Sequence, residues 1–237
     1  MHYVISDIHG RKDKFDKLMK EINFCHGTDT LYVLGDVIDR GESGIELLKQ
    51  FMYRDSVKVF LGNHEQMMMF HYLFGLNDWL LEGNGGLPTK QAFESCTKEE
   101  QKRLLDFLKT RTHLVKTLTI NDTCYQLSHA AFTPVYNIDL ETIDTVSTNY
   151  DWIELSSFLW GWGEHSVNQI PLLKQEKPMT FIVGHTPTTI IEGWQRSQIY
   201  KKKFDNGMTL IDIDCGCTFD DGKLGCLCLE TKKEYYG

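Results

Sequence analysis

Three times near its start the chain runs from a short apolar segment through a polar turn into a stretch with apolar residues at helical spacing. His2 to Ser6 (HYVIS) leads to Lys12 to Ile22, where Phe15, Leu18, Met19 and Ile22 share one helical face. Leu31 to Leu34 is followed by a charged turn and by Ile45, Leu47, Leu48 and Phe51, on a helix opened by Glu42 and Ser43. Val57 to Leu61 passes through GNHE into a helix from Gln66 to Phe74. Such alternation predicts parallel strands with right-handed helical crossovers, an α/β arrangement.

Glycine and proline in Gly83 to Thr89 (GNGGLPT) interrupt this pattern, and Lys98 to Thr110 resumes as an amphipathic helix. The stretch from about 76 to 110 therefore reads as a helical insert. Beyond it strands dominate. His113 to Ile120 pairs with Thr123 to Ser128 across Asn121-Asp122, a hairpin turn signal, and Phe181 to Val183 is a short buried strand. Met208 to Ile213 and Leu224 to Leu229 are expected to form a last hairpin and, with the others, a second sheet.

Composition narrows the function. No linker-like segment divides the 237 residues, so one domain over 1–237 is expected, and 41% hydrophobic with 24% charged residues is ordinary for a folded chain. The net charge of −8 argues against a nucleic-acid partner, which needs a basic face; Lys201 to Lys203 is the one basic run and reads as a solvated loop. An anionic substrate stays compatible if metal ions supply the positive charge. No run reaches the roughly 18 apolar residues of a membrane span, and no signal-like start is seen. A cytoplasmic protein is expected, with its seven cysteines reduced.

Each apolar strand ends in metal-capable side chains: Asp7 and His9, then Asp36 and Asp39, then Asn63 and His64, and later His129 and His185. The carboxyl ends of parallel strands share a crevice, so groups this far apart in sequence can converge. Each alone has a plainer reading, Asp7 as a helix cap and Asn63 as a turn residue. Recurrence at five strand exits, always with oxygen or nitrogen ligands, favours a metal centre. HEQMM lacks the second histidine of a zincin helix, and neither a nucleophile elbow nor a phosphate-binding P-loop occurs. Cys215, Cys217, Cys226 and Cys228 fall on the last two strands, but C-x-C spacing suits a thiolate zinc site poorly, and buried thiols are the better reading.

Taken in order, Asp7-x-His9, Gly35-Asp36-x-x-Asp39-Arg40, Gly62-Asn63-His64-Glu65, His129 and Gly184-His185-Thr186 resemble the calcineurin-like metallophosphoesterases, particularly phage- and bacterial-type serine/threonine phosphatases and their diadenosine-tetraphosphatase relatives. The resemblance implies a two-sheet β-sandwich flanked by helices in four layers, with the metal site at strand carboxyl ends. It implies two divalent ions, manganese first with iron or zinc as alternatives. Asp7 and His9 would bind one, Asn63, His129 and His185 the other, and Asp36 would bridge them. A hydroxide held between them would attack phosphorus. Arg40 would clamp the phosphate, His64 would protonate the leaving group, and Asp39 would orient His64. Glu65 is left a structural carboxylate.

The chain departs from that pattern in lacking a second phosphate-binding arginine: none occurs from Thr112 to Gln195. LWGWGEHS, Leu159 to Ser166, offers Trp162 and His165 in that neighbourhood, Arg196 is the nearest substitute, and Ala131 replaces a frequent glycine. The leading expectation is a phosphatase for phosphoserine or phosphothreonine proteins. Its alternative is a bis(5'-nucleosyl)-tetraphosphatase, in which Trp160, Trp162 and Trp194 can stack on adenines, and a remote alternative is an inactive metal-binding module. The partner is thus a phosphoprotein or a small phosphorylated compound, and the sequence assigns no oligomeric state.

Overall fold

The structure, a computed structural model, describes residues 1–130, 156, 158–161, 170 and 177–237. The three repeated units form as the pattern predicts: β1 His2–Ile5, α1 Lys12–Glu21, β2 Thr30–Val33, α2 Gly44–Met52, β3 Val57–Val59 and α3 Asn63–Phe74. β1 runs parallel to β2, and β2 to β3. The third helix starts earlier than its periodicity suggests. Glu65, in its first turn, accepts the Gly62 N–H at 3.0 Å, so the GNHE turn is itself helical and Asn63 and His64 are its first residues.

The insert holds short 3-10 turns, α4 Leu87–Glu94 and α5 Lys98–Thr110. Thr97 caps α5 by accepting the Glu100 N–H, and Glu100 returns the bond to the Thr97 N–H. The expected hairpin follows as β4 Val115–Ile120 and β5 Thr123–Ser128, with Asn121 and Asp122 both at positive φ, as a tight primed turn requires. The remaining strands are β6 Met179–Val183, β7 Tyr200–Lys203, β8 Thr209–Asp212, β9 Gly225–Cys228 and β10 Glu234–Tyr236.

The last hairpin does not form. The Met208 to Ile213 strand, β8, lies between β6 and β7 in one sheet, ordered β4-β5-β6-β8-β7, whereas the Leu224 to Leu229 strand, β9, joins β1 and β10 in the other, ordered β10-β9-β1-β2-β3. Both are apolar on two faces, so alternation gives no preference between neighbours. The chain between them crosses from sheet to sheet. Cys215 and Cys217 consequently do not face Cys226 and Cys228 across a ladder. All four thiols are free and buried, and no cysteine belongs to a metal-binding cluster among the described residues.

Period-two alternation builds the layers. Tyr3 and Ile5 face a core with Phe15, Leu18 and Phe51 from the helices, while Val4 faces the sandwich with Leu127, Ile182 and Ile211 from the second sheet. Phe181, Val183 and Leu210 form a third cluster on the second sheet's other face. The result is two mixed sheets, face to face and flanked by helices. β1, β2 and β3 in one, and β5, β6 and β8 in the other, are the strands whose exits carry the polar residues.

Candidate metal and phosphate site

Backbone ladders continue past the strand ends and bring the exits together. Asp7 N–H donates to Gly35 O at 3.2 Å, His9 N–H to Asp36 O at 2.9 Å, and Gly184 N–H to His129 O at 2.8 Å. Gly35, at φ +86°, leaves no room for a side chain: a Cβ there would lie 2.6 Å from the Gly62 nitrogen and 2.9 Å from His129 Nδ1. Six non-glycine residues at these exits adopt the left-handed region: Asp7, His9, Asp36, Asp39, Arg40 and His185. Each costs on the order of 1–3 kcal/mol, and such strain persists only where surrounding bonds impose it.

Glu65 supplies many of those bonds. Its fully buried carboxylate accepts the N–H groups of Asp36 at 2.8 Å, Val37 at 2.8 Å, Ile38 at 3.2 Å and Gly62 at 3.0 Å. Burial and the nearby Asp36 push its pKa up to about 7, against those N–H groups, which favour the charged form. The structural role expected of Glu65 thus becomes specific: it fastens the loop that carries Asp36.

Asp36 lies at the centre of the pocket. His9, Asp36 and His64 offer ligand atoms within 4.8 Å of one another, and so do Asp36, His129 and His185. His9 Nδ1–H donates to Ile38 O at 3.0 Å and His129 Nδ1–H to Leu34 O at 2.6 Å, so each neutral ring turns the Nε2 lone pair inward. His129 Nε2 then faces Asn63 Oδ1 at 2.9 Å and Asp36 Oδ1 at 3.5 Å, three acceptors with no hydrogen between them. His185 Nδ1 reaches the same Asn63 oxygen at 3.0 Å. The lone pairs of His129 Nε2, Asn63 Oδ1 and Asp36 Oδ1 converge in a way that fits a cation, and this mixed carboxylate, amide and imidazole set suits a borderline divalent ion.

Titration points the same way. Burial alone would raise the Asp36 carboxyl, but His129, His64, His9 and His185 outweigh it and hold the group well below the carboxylate range. Burial lowers His9 and His129, and burial with His129 takes His185 down to about 4, leaving neutral rings that can ligate. Asp7 is raised by burial and then by Asp214 and Asp36. Its Oδ2 accepts from Ser6 and from the His185 N–H, while Oδ1 is buried without a partner among the described residues. A bound cation would relieve both the charge and the orphaned oxygen.

The structure thus brings His9, Asp36, Asn63, His64, His129 and His185 together, with Asp39 bonded to His64 and Arg40 to His9, whereas Asp7 belongs to neither three-residue group and meets the site through the His185 N–H at 3.0 Å. His64 Nδ1–H donates to Asp39 Oδ2 at 2.6 Å, leaving Nε2 toward Asp36 Oδ2 at 3.8 Å. Burial lowers the His64 pKa, but Asp36 and Asp39 outweigh it and raise the imidazole. Arg40 is exposed and directs NH1 to His9 Nε2 at 2.9 Å. Arg196 is also exposed; its guanidinium stacks on Trp194 at 5.5 Å and makes no ion pair among the described residues. Trp160 is 43% exposed, with its ring 5.9 Å from that of His185. Trp162, His165 and Ala131 lie outside the described residues.

Two acidic residues join the site beyond those that the motifs indicate. Asp212 ends β8 and Asp214 follows it, both buried; burial pushes Asp214 up to about 7 and, with Asp214, raises Asp212 well above its usual range. Asp214 Oδ1 accepts the Gly216 N–H at 2.9 Å, and its charge is among the largest influences on Asp7. Asp214 is a sixth strand exit, in IDIDC, with the same signal as the other five.

A two-sheet α/β fold with an acceptor-rich pocket at its strand exits is that of the metallophosphoesterases. A family model described as calcineurin-like phosphoesterase matches residues 3–212, and the chain belongs to that family. A Neisseria gonorrhoeae protein named bis(5'-nucleosyl)-tetraphosphatase, symmetrical, is 36% identical over 118 residues, which cover 48% of this chain and 39% of that protein. A Chromobacterium violaceum protein of the same name is 30% identical over 57% of this chain and 45% of its own. The matches span less than half the length of these relatives. Among solved structures, a cold-active protein-tyrosine phosphatase of a psychrophilic Shewanella aligns over 100% of this chain and 77% of its own with a TM-score of 0.59 and 18% identity, a likeness of fold.

Proposed function

We propose that this protein hydrolyses dinucleoside tetraphosphates symmetrically, water breaking the central P–O–P anhydride to leave two nucleoside diphosphates. The observation that carries the reading is Asp36, one carboxylate shared by two groups of potential ligands. The substrate is supported by the tetraphosphatase relatives and by the absence of arginine from 112 to 195, both of which favour this alternative over the phosphoprotein phosphatase expected first. His9 and Asp7 would hold one divalent ion, Asn63, His129 and His185 a second, with Asp36 between them and manganese as the first candidate. Such a pair supplies an acidified water and neutralises phosphate oxygens.

The chain's own groups do the rest. Arg40 at the rim offers a forked, permanently charged donor to the phosphate. His64 Nε2–H gives its proton to the departing oxygen, held in place by Asp39 at Nδ1. The exposed face of Trp160 beside His185 is available to a nucleobase.

Incubation of the manganese-loaded protein with diadenosine tetraphosphate, followed by anion-exchange analysis, tests the reading. Adenosine diphosphate as the sole product is expected. Products of adenosine monophosphate with triphosphate, or turnover of a phosphothreonine peptide alone, would contradict it.

A further inference from the structure

The turn Asp39-Arg40 is held from outside by the insert. Asp39 N–H donates to Thr89 Oγ1 at 2.9 Å, and Arg40 N–H donates to Gly85 O at 2.9 Å. Trp79, 1% exposed, donates its Nε1–H to Asp39 Oδ2 at 2.8 Å, the same oxygen that receives His64 Nδ1–H. The other oxygen, Asp39 Oδ1, is buried without a hydrogen-bond partner among the described residues. The rotation of this carboxylate therefore depends on what meets Oδ2 alone. Asp39 and Arg40 sit at φ 72° and 64°, a conformation that relaxes unless neighbours impose it.

The sequence around these residues is shaped to the contact. Gly86 fits because a Cβ there would lie 2.6 Å from Trp79 O and 2.7 Å from its Nε1. The indole is braced by the rings of His71 and Tyr72, at 5.5 and 6.0 Å between centroids. The stretch WLLEGNGGLPT is thus an abutment against the turn that carries Asp39 and Arg40.

We propose that Trp79 is a positioning residue for the Asp39–His64 pair, and that the insert exists in this chain to aim that pair's proton. The inference rests on the reading of His64 as proton donor. With the indole N–H removed, one donor holds Oδ2 where two did, the carboxylate turns more freely, and His64 Nε2–H spends less time aligned with the leaving oxygen. The defect appears only where the leaving group needs the proton.

The test compares kcat and KM of manganese-loaded wild type, Trp79→Phe, Thr89→Val, Thr89→Ser and His64→Asn on phenyl phosphate and on p-nitrophenyl phosphate, whose leaving group is far less basic. Trp79→Phe is expected to lower kcat on phenyl phosphate about five- to tenfold more than on p-nitrophenyl phosphate, the worth of about one hydrogen bond, with KM and bound manganese unchanged. Thr89→Val should move the ratio in the same direction and Thr89→Ser should restore it, which keeps the test open if Trp79→Phe folds poorly. A ratio altered in His64→Asn but unmoved in both Trp79→Phe and Thr89→Val overturns the inference and spares the His64 reading. A ratio unmoved in His64→Asn as well overturns that reading and the inference with it.

Discussion

At single residues, the histidines of the pocket differ in what their Nδ1–H meets. His9 and His129 spend Nδ1–H on backbone carbonyls and turn Nε2 inward, whereas His64 spends Nδ1–H on a carboxylate and becomes more basic. On the proposed reading, His9 and His129 would serve as ligands and His64 as the acid. His64→Asn is therefore expected to keep bound manganese while kcat falls about 100-fold or more on phosphoserine and much less on diadenosine tetraphosphate, whose diphosphate leaving group is weakly basic. Glu65→Gln replaces an acceptor of four N–H groups with an amide that can satisfy fewer, and a fall in stability of roughly 1–3 kcal/mol is expected by urea titration, with weaker manganese binding. Asp214 has a folded pKa of about 7 against 3.8 unfolded. Between those values the native state keeps a proton that the unfolded chain has lost, so this group's contribution falls as pH rises through the window, by about 1.4 kcal/mol per unit. Asp214→Asn should flatten the pH dependence of the metal-free protein and stabilise it above pH 7, as unfolding midpoints at pH 5 and 8 would show. The convergence of His9, Asp36, His64, His129 and His185 was legible because strand exits repeat one signal. Asp214 carries it too, in IDIDCGC, where the neighbouring cysteines are the more conspicuous metal-type residues.

Among the elements, the three βα units and the β4–β5 hairpin were readable because each has a local cause, helical spacing or a two-residue turn. The pairing of β8 and β9 was not, since two strands with buried apolar residues on both faces carry no face preference and their separation into different sheets is settled by the rest of the molecule. The start of α3 was misjudged for a related reason. GNHE looks like a loop until Glu65 is seen to cap the helix and brace the Asp36 loop at once, a contact across 29 residues. The insert gave no sequence clue to its purpose, because Trp79 and Thr89 act on Asp39 through single hydrogen bonds that leave no periodic trace.

Over the whole molecule, Asp7, Asp36, Glu65, Asp212 and Asp214 are buried and near enough to act on one another's charge, in a chain of net charge −8. Such a concentration of carboxylates opposes folding unless cations enter it. Chelation is expected to lower the melting temperature, and restored manganese at about 100 times its dissociation constant to return roughly 2.7 kcal/mol per site. The most direct measurement is metal content by elemental analysis after equilibration with manganese and removal of free ions, for wild type and Asp36→Asn. Two ions per chain in wild type and fewer than one in the variant are the expected result. One ion in wild type, or two retained by Asp36→Asn, would contradict a centre built on a shared Asp36.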